Sequence, residues 1–240
     1  MPVFKLTDDF LFPPQHLADP DGLLAIGGDL TPQRLLLAYS SGLFPWFNEG
    51  QPPLWWCPDP RCIFEPGQMR HSKSLRKTLR SEVFRVTVDH DFPAVITACA
   101  EVRKQQGEET WITEKLAESF LTLHRMGYAH SIECWQDDEL AGGLYGVCLG
   151  RCFFGESMFH VKPDSSKVAL AYLLWLAEVN SFELVDCQLP NRHLLSLGAR
   201  EISRDDFLLR LQKSGVEPSI EPVPGEFSWP EGTTQKWFNG

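Results

Sequence analysis

The order of strands and helices between residues 130 and 202 is the feature that most restricts the fold of this chain. The hydrophobic pattern predicts three strands, a helix, a strand, a short helix and a strand, at 130–135, 140–149, 151–159, 165–179, 182–188, 190–196 and 199–202. A helix that connects two strands of one sheet returns the chain so that the two strands run parallel. The sequence therefore predicts a mixed sheet in which the strands before and after the long helix are neighbours.

Each of these two strands carries a carboxylate where a plain core strand would carry an aliphatic side chain. Glu156 follows a pair of phenylalanines, and Asp186 follows the dipeptide Leu-Val. A buried carboxylate is costly unless it is paired, hydrogen-bonded or kept for chemistry. We therefore expect an active centre built from the two strands and the helix between them. The alternative is a buried Asp186 that only accepts backbone hydrogen bonds.

Residues 1–60 are rich in Pro, Gly and Trp, as is typical of ordered loops that carry aromatic side chains. Trp46, Trp55 and Trp56 lie close together in this segment. Packing in a small aromatic core explains any one of them. The three together predict at least one exposed platform on which a ring can stack.

Capping residues mark most helix boundaries. Helix starts are predicted after Thr31, Ser72, Thr113 and Ser203, and helix ends before Gly42, Gly127 and Gly215. Between the second and third of these helices, the sequence predicts a strand at 84–88, a short helix to about residue 100 and a polar loop at 104–109.

The helix that Ser72 begins is strongly basic. Its cations recur at helical spacing, so that one face carries all four of Lys73, Arg76, Lys77 and Arg80. A basic helix face is often merely solvated. In a chain with a net charge of −10, a one-sided basic face instead indicates contact with a phosphate backbone.

Composition excludes several classes of protein. The net charge argues against indiscriminate nucleic-acid binding, and no apolar run approaches the roughly 18 residues of a membrane span. The seven cysteines form no Cys-x-x-Cys pair, and the seven histidines lack ligand spacing. We therefore expect buried free thiols in a reducing cytoplasm, no metal, no cofactor and no membrane contact, in a protein that acts as a monomer.

Several motifs, in order from about residue 10 to 210, resemble the bacterial leucyl/phenylalanyl-tRNA–protein transferases. The motifs are the segments 22–30, 42–47, 54–61, 110–113, 129–133, 142–147, 155–159, 186–188 and 196–199. The resemblance implies an α+β chain, with a small N-terminal α/β domain (1–62) and a catalytic domain (63–240) that has a GNAT-like acyltransferase fold and a mixed sheet. It implies an enzyme that moves Leu or Phe from aminoacyl-tRNA to a protein with an N-terminal Arg or Lys, marking that protein for degradation by the N-end rule.

The same resemblance assigns roles to individual residues. Asp186 and Gln188 become the catalytic pair, placed on one face because they alternate along a strand, and Glu156 binds the acceptor. Trp46 and Trp111 stack on the terminal adenosine, and the basic helix holds the acceptor stem of the tRNA. The donor side chain enters an apolar pocket formed by Leu144, Phe153, Met158, Leu170 and Val185. This chain has Phe120 where a Tyr stands in the best-known relative, so Phe120 receives no polar role.

Three rival functions fit less of the sequence. An acetyl-CoA-dependent acyltransferase needs a Gly-rich pyrophosphate turn, which the chain lacks. A serine hydrolase would use Ser157, Asp186 and His193, but Phe159 stands where the nucleophile elbow needs Gly. A non-catalytic RNA-binding module explains the basic helix and the tryptophans, but gives no reason for the buried carboxylates.

Overall fold

A computed structural model describes residues 3–105, 111–225, 227 and 237–238, with the side chains of 103–105 not described. The N-terminal part forms a four-stranded sheet in the order β1-β2-β4-β3, packed against one helix. The strands are β1 (Phe4–Leu6), β2 (Leu23–Gly27), β3 (Phe44–Pro45) and β4 (Leu54–Trp56), and the helix is α1 (Pro32–Ser40). This small sheet and its helix confirm the predicted α/β unit at the N-terminus.

The rest of the described chain is organised around a seven-stranded sheet in the order β11-β5-β10-β9-β8-β7-β6. Its strands are β5 (Arg61–Phe64), β6 (Arg85–Val88), β7 (Ala129–Gln136), β8 (Glu139–Leu149), β9 (Cys152–His160), β10 (Leu184–Asp186) and β11 (Arg200–Ile202). Strand β10 pairs in parallel with β9, and the other pairs described are antiparallel. The predicted mixed sheet is thus confirmed.

Six further α-helices are described. They are α2 (Lys73–Ser81), α3 (Phe92–Gln105), α4 (Glu114–Arg125), α5 (Ser165–Val179), α6 (Arg192–Leu197) and α7 (Arg204–Lys213). The apolar α5 packs on β7, β8 and β9 and contacts α2. Helix α3 packs on the same three strands, and α4 packs on β7. No helix in the described ranges has the length and apolar character needed to cross a bilayer.

The capping predictions are confirmed. The side chains of Thr31, Ser72, Thr113 and Ser203 each accept a hydrogen bond from a backbone N–H in the first turn of their helix. This bond satisfies one of the orphan donors that every helix start leaves.

Two element boundaries differ from the prediction. Helix α3 includes Lys104 and Gln105, the first two residues of the predicted polar loop, and residues 106–109 of that prediction lie outside the described residues. Strand β10 ends at Asp186, two residues before the predicted end. The domain boundary after residue 62 stays a prediction; strand β5, which spans it, belongs to the large sheet.

Candidate active site

Two cavities meet at the carboxyl end of β10. One has a volume of about 210 Å³ and is largely apolar, and the other, of about 120 Å³, opens beside the N-terminal tryptophans. Both are lined by Glu156, Cys187, Gln188 and Leu189. A group held at this junction therefore reaches ligands in both cavities at once.

Asp186 is not at the cavity surface but is paired beneath it. Its carboxylate accepts two hydrogen bonds from Arg61, at 2.8 Å from Nε and 2.6 Å from Nη2, and both side chains are 0% exposed. Arg61 also donates to the Gly42 carbonyl at 3.1 Å and lies between the rings of Phe44 and Phe207. This bidentate geometry offsets the desolvation of both charges and fixes the end of β10.

Gln188 leaves the strand instead of continuing it. Its φ of 57° is in the left-handed region, so the prediction that Asp186 and Gln188 alternate on one strand is wrong. The Cys187 N–H donates to the Cys62 carbonyl, and the Cys62 N–H donates to the Gln188 carbonyl. Cys187 and Gln188 therefore both lie opposite the single residue Cys62. This β-bulge turns the Gln188 side chain toward the cavities, which a regular strand would not do.

Hydrogen bonds fix the orientation of the Gln188 amide. Its Nε2 donates to the Gly155 carbonyl at 2.7 Å and lies 3.4 Å from Oε1 of Glu156. Because a carbonyl can only accept, the NH₂ group must face Gly155 and the amide oxygen must face away from it. The Gln188 backbone N–H donates to Oδ1 of Asp186 at 3.0 Å. Asp186 therefore positions Gln188, and the Gln188 oxygen is available to a ligand.

Glu156 lies at the junction with a strongly shifted pKa. Burial raises its pKa to about 8, helped by the nearby charge of Asp186, while interactions with the Tyr39 phenol and with Arg61 act in the opposite direction. A carboxyl group with such a pKa exchanges a proton near neutral pH. Tyr39 comes from α1, so the N-terminal sheet domain contributes to this site.

Replacing Glu156 by Gln is expected to remove a pH dependence of stability. Between about pH 4.5 and about 8, the folded state keeps a proton on Glu156 that the unfolded state has released. The free energy of unfolding of the unmodified protein therefore falls as pH rises through this window, by up to about 1.4 kcal/mol per unit. Urea unfolding between about pH 5 and about 9 measures the difference, with Glu118→Gln on the exposed side of α4 as control. Equal slopes for Glu156→Gln and the unmodified protein would contradict the assignment.

The larger cavity contains most of the predicted donor pocket. Leu144, Met158, Leu170 and Val185 line it, whereas Phe153 is not among its lining residues in the described chain. Phe153 packs in the core cluster beneath α5. It is paired in register with Val185, but the cavity opens further along β9, from Gly155 onward, beyond the last residue pair that joins β9 to β10 (Phe154 with Asp186).

The two tryptophans assigned to stacking line the smaller cavity together. Trp46 is 44% exposed, while Trp111 is 8% exposed and borders the cavity from within the core. Trp55 is fully buried, and its indole N–H donates to the Gly27 carbonyl. Trp46 is therefore the exposed tryptophan that the sequence predicts in this segment, and its role in stacking stays a prediction.

The basic helix presents its cations as the spacing predicts. Leu75 and Leu79 are buried against the core, while the four cations point away and together line a shallow groove. The Ser72 cap and the buried leucines hold the helix in place. Its outer face is therefore a preformed positive surface.

Sequence reasoning missed Arg61 and Tyr39. The signal for Arg61 was present, because a cation inside the apolar strand Arg61–Phe64 is as unusual as the two carboxylates. Tyr39 gave no such signal, because a Tyr on the buried face of a helix usually packs in the core.

The positions of the proposed triad residues exclude the serine hydrolase alternative. Both oxygens of Asp186 are bound to Arg61, and His193 lines a different cavity, so neither can complete a triad with Ser157.

Comparisons with known proteins give one family. The family model described as leucyl/phenylalanyl-tRNA protein transferase matches residues 63–212, and the model of that family's N-terminal domain matches residues 28–59. Curated proteins named leucyl/phenylalanyl-tRNA–protein transferase are similar over nearly their whole length. The protein of Syntrophotalea carbinolica is 52% identical, over 95% of this chain and 99% of its own. That of Syntrophobacter fumaroxidans is 54% identical, over 95% and 96%, and that of Desulforapulum autotrophicum 53%, over 92% and 96%.

Proposed function

Since the chain belongs to the leucyl/phenylalanyl-tRNA–protein transferase family, it is an aminoacyltransferase, and we propose that the junction around Gln188 is its reaction centre. The reaction moves Leu or Phe from an aminoacyl-tRNA to the α-amine of a protein that begins with Arg or Lys. The observation that carries the proposal is the sharing of Glu156 and Gln188 by two cavities, one apolar and one lined by Trp46 and Trp111.

The aminoacyl end of the donor spans the two cavities. Its adenosine stacks on Trp46 against the edge of Trp111, an interaction typically worth about 1–3 kcal/mol per base. Its side chain enters the apolar cavity, where Met158 adapts to Leu or to Phe because a thioether chain is flexible and polarisable. The ester carbonyl between them then lies at the junction, within reach of Gln188.

The amine attacks an activated ester, so the site supplies position and proton handling. An α-amine has a pKa near 8, and a useful fraction is already neutral. The Gln188 amide oxygen accepts a hydrogen bond from this amine and aims its lone pair at the ester carbonyl. The Gly155 carbonyl holds the side-chain amide of Gln188 by a hydrogen bond, and the Asp186 carboxylate holds the backbone N–H of Gln188. In this scheme Gln188 is catalytic, while Asp186 and Arg61 are positioning residues.

Glu156 serves the acceptor. Its carboxyl group lies beside the Gln188 amide, where the cationic N-terminal residue of the acceptor must approach. With a pKa of about 8, Glu156 ionises when a cation arrives and can take the proton that the attacking amine loses. That proton then leaves with the ribose hydroxyl when the ester bond breaks.

The basic face of α2 holds the tRNA through its phosphates. Such contacts are electrostatic and independent of base sequence, which suits a donor delivered by several tRNAs. The Lys73→Gln/Lys77→Gln variant is expected to raise KM for leucyl-tRNA about tenfold near 0.1 M salt, with kcat unchanged. Each lost phosphate contact also lowers the slope of log affinity against log salt by about one.

Steady-state kinetics at several salt concentrations test this role. The matched control is Lys115→Gln/Lys213→Gln, which removes the same charge from exposed positions on α4 and α7. If both double variants raise KM equally, the effect is one of net charge and the assignment to α2 is wrong.

We also propose that the protein acts as a monomer in the cytoplasm, that the catalytic domain from residue 63 has a GNAT-like fold, and that the reaction needs no metal or cofactor.

A further inference from the structure

Two cysteines face each other across strands at the junction. Strands β5 and β10 pair with Val185 opposite Phe64 and Asp186 opposite Ile63, so the next antiparallel step puts Cys187 opposite Cys62. The Cys187 N–H donates to the Cys62 carbonyl at 2.9 Å, which confirms that the backbones stay together there. Both side chains pack with the same core cluster, as they must if they lie on one face of the sheet.

This placement meets the requirements of a disulfide. Opposed residues of antiparallel strands have Cα atoms about 4.5–5.5 Å apart, within the range that disulfides span, and Cys187 is the first of the two bulge residues that oppose Cys62. Both thiols are free in this structure. Of the seven cysteines, Cys187 is the one that is not fully buried, and it lines both cavities. A small oxidant that enters either cavity therefore reaches Cys187 first.

We propose that Cys187 and Cys62 form an oxidative modification site that closes into a disulfide with low-molecular-weight disulfides. The Cys187 sulfur attacks the small disulfide and releases one small thiol, leaving a mixed disulfide. Cys62 then attacks the Cys187 sulfur, releases the second small thiol and completes the Cys62–Cys187 bond. The two protein thiols lose two protons and two electrons, which the small disulfide takes up as it becomes two thiols.

The oxidation is slow, but it modifies the residue that directly precedes Gln188. Burial raises the pKa of Cys62 to about 12 and that of Cys187 well above its usual value, so little thiolate is present near neutral pH. Cys187 stands between Asp186, held by Arg61, and Gln188, held by Gly155. A covalent bond from Cys187 to Cys62 pulls this bulge toward β5 and moves the Gln188 amide away from the junction. This consequence, unlike the chemistry of the thiols, rests on the proposed function.

The test is incubation with millimolar oxidised glutathione at mildly alkaline pH over hours. Peptide mapping under non-reducing conditions should find the peptides that contain Cys62 and Cys187 joined, with the loss of two hydrogen masses. Transfer of leucine should fall at least tenfold and return after reduction. The Cys62→Ala variant lacks the second thiol and should keep a glutathione adduct on Cys187, while Cys99→Ala, in the other core cluster, should behave like the unmodified protein.

Three results would overturn the proposal: no modification of Cys187, a glutathione adduct that persists in the unmodified protein, or a Cys62–Cys187 bond that leaves transfer unchanged. The peptide map does not depend on any enzymatic assay. A protein that forms the disulfide yet transfers no leucine even when reduced would contradict the proposed function and leave the thiol chemistry standing.

Discussion

Replacing Arg61 by Met is expected to lower the free energy of unfolding by about 3–5 kcal/mol and to abolish transfer. The substitution keeps an apolar side chain of similar length between the rings of Phe44 and Phe207, so packing is largely retained. It leaves the Asp186 carboxylate buried with no cation, and that uncompensated charge carries the cost. In a chain of 240 residues the loss corresponds to a fall in Tm of about 10 °C.

The same substitution in an exposed ion pair is the matched control. Arg85 pairs with Asp138 at 3.7 Å, with the Arg85 side chain half exposed and that of Asp138 almost fully exposed, so Arg85→Met should change stability by less than about 1 kcal/mol. The double variant Arg61→Met/Asp186→Asn removes both buried charges and should recover part of the stability but none of the activity. Chemical denaturation measures all three variants. An Arg61→Met protein as stable as Arg85→Met would show that Asp186 is not held as described.

Gln188→Asn is expected to reduce kcat by about 10²–10³-fold while leaving Tm nearly unchanged. Asn tolerates the left-handed conformation at this position, so the backbone of the bulge is not strained. Its side chain is one methylene shorter and no longer reaches the Gly155 carbonyl, so the amide loses the bond that orients it. Losses of this size are typical when a positioned group no longer contacts the reacting atoms.

Single-turnover transfer from saturating leucyl-tRNA separates this effect from binding. Gln212→Asn, on the exposed side of α7, makes the same chemical change where no ligand is expected and should retain full activity. A Gln188→Asn variant that keeps kcat and loses only affinity for tRNA would move Gln188 from the reaction to substrate binding.

The parts of the fold that local chemistry determines were predictable. The cap residues and the glycines that end helices act within one turn of their own positions, and the parallel pairing of β9 and β10 follows from the helix between them. The two carboxylates on these strands predicted a candidate site at this place. Local signals were therefore sufficient to predict a candidate site at the end of these two strands.

The geometry inside the site was less predictable, because it depends on contacts between distant segments. Arg61 and Asp186 are 125 residues apart in the sequence, and no local pattern pairs them. The bulge at Cys187 and Gln188 gave no signal, since a left-handed conformation usually favours Gly or Asn and here a Gln adopts it under tertiary constraint. Phe153 was assigned to the donor pocket through the family resemblance, although it packs in the core.

The central claim is transfer of an aminoacyl group at the Gln188 junction to a basic N-terminus. The most direct test mixes the protein with tRNA charged with labelled leucine and with two peptides that differ only in beginning with Arg or with Glu. The account predicts label in the Arg peptide, almost none in the Glu peptide, and a loss of transfer in the Gln188→Asn variant. Equal labelling of both peptides, or release of free leucine without a peptide product, would contradict it.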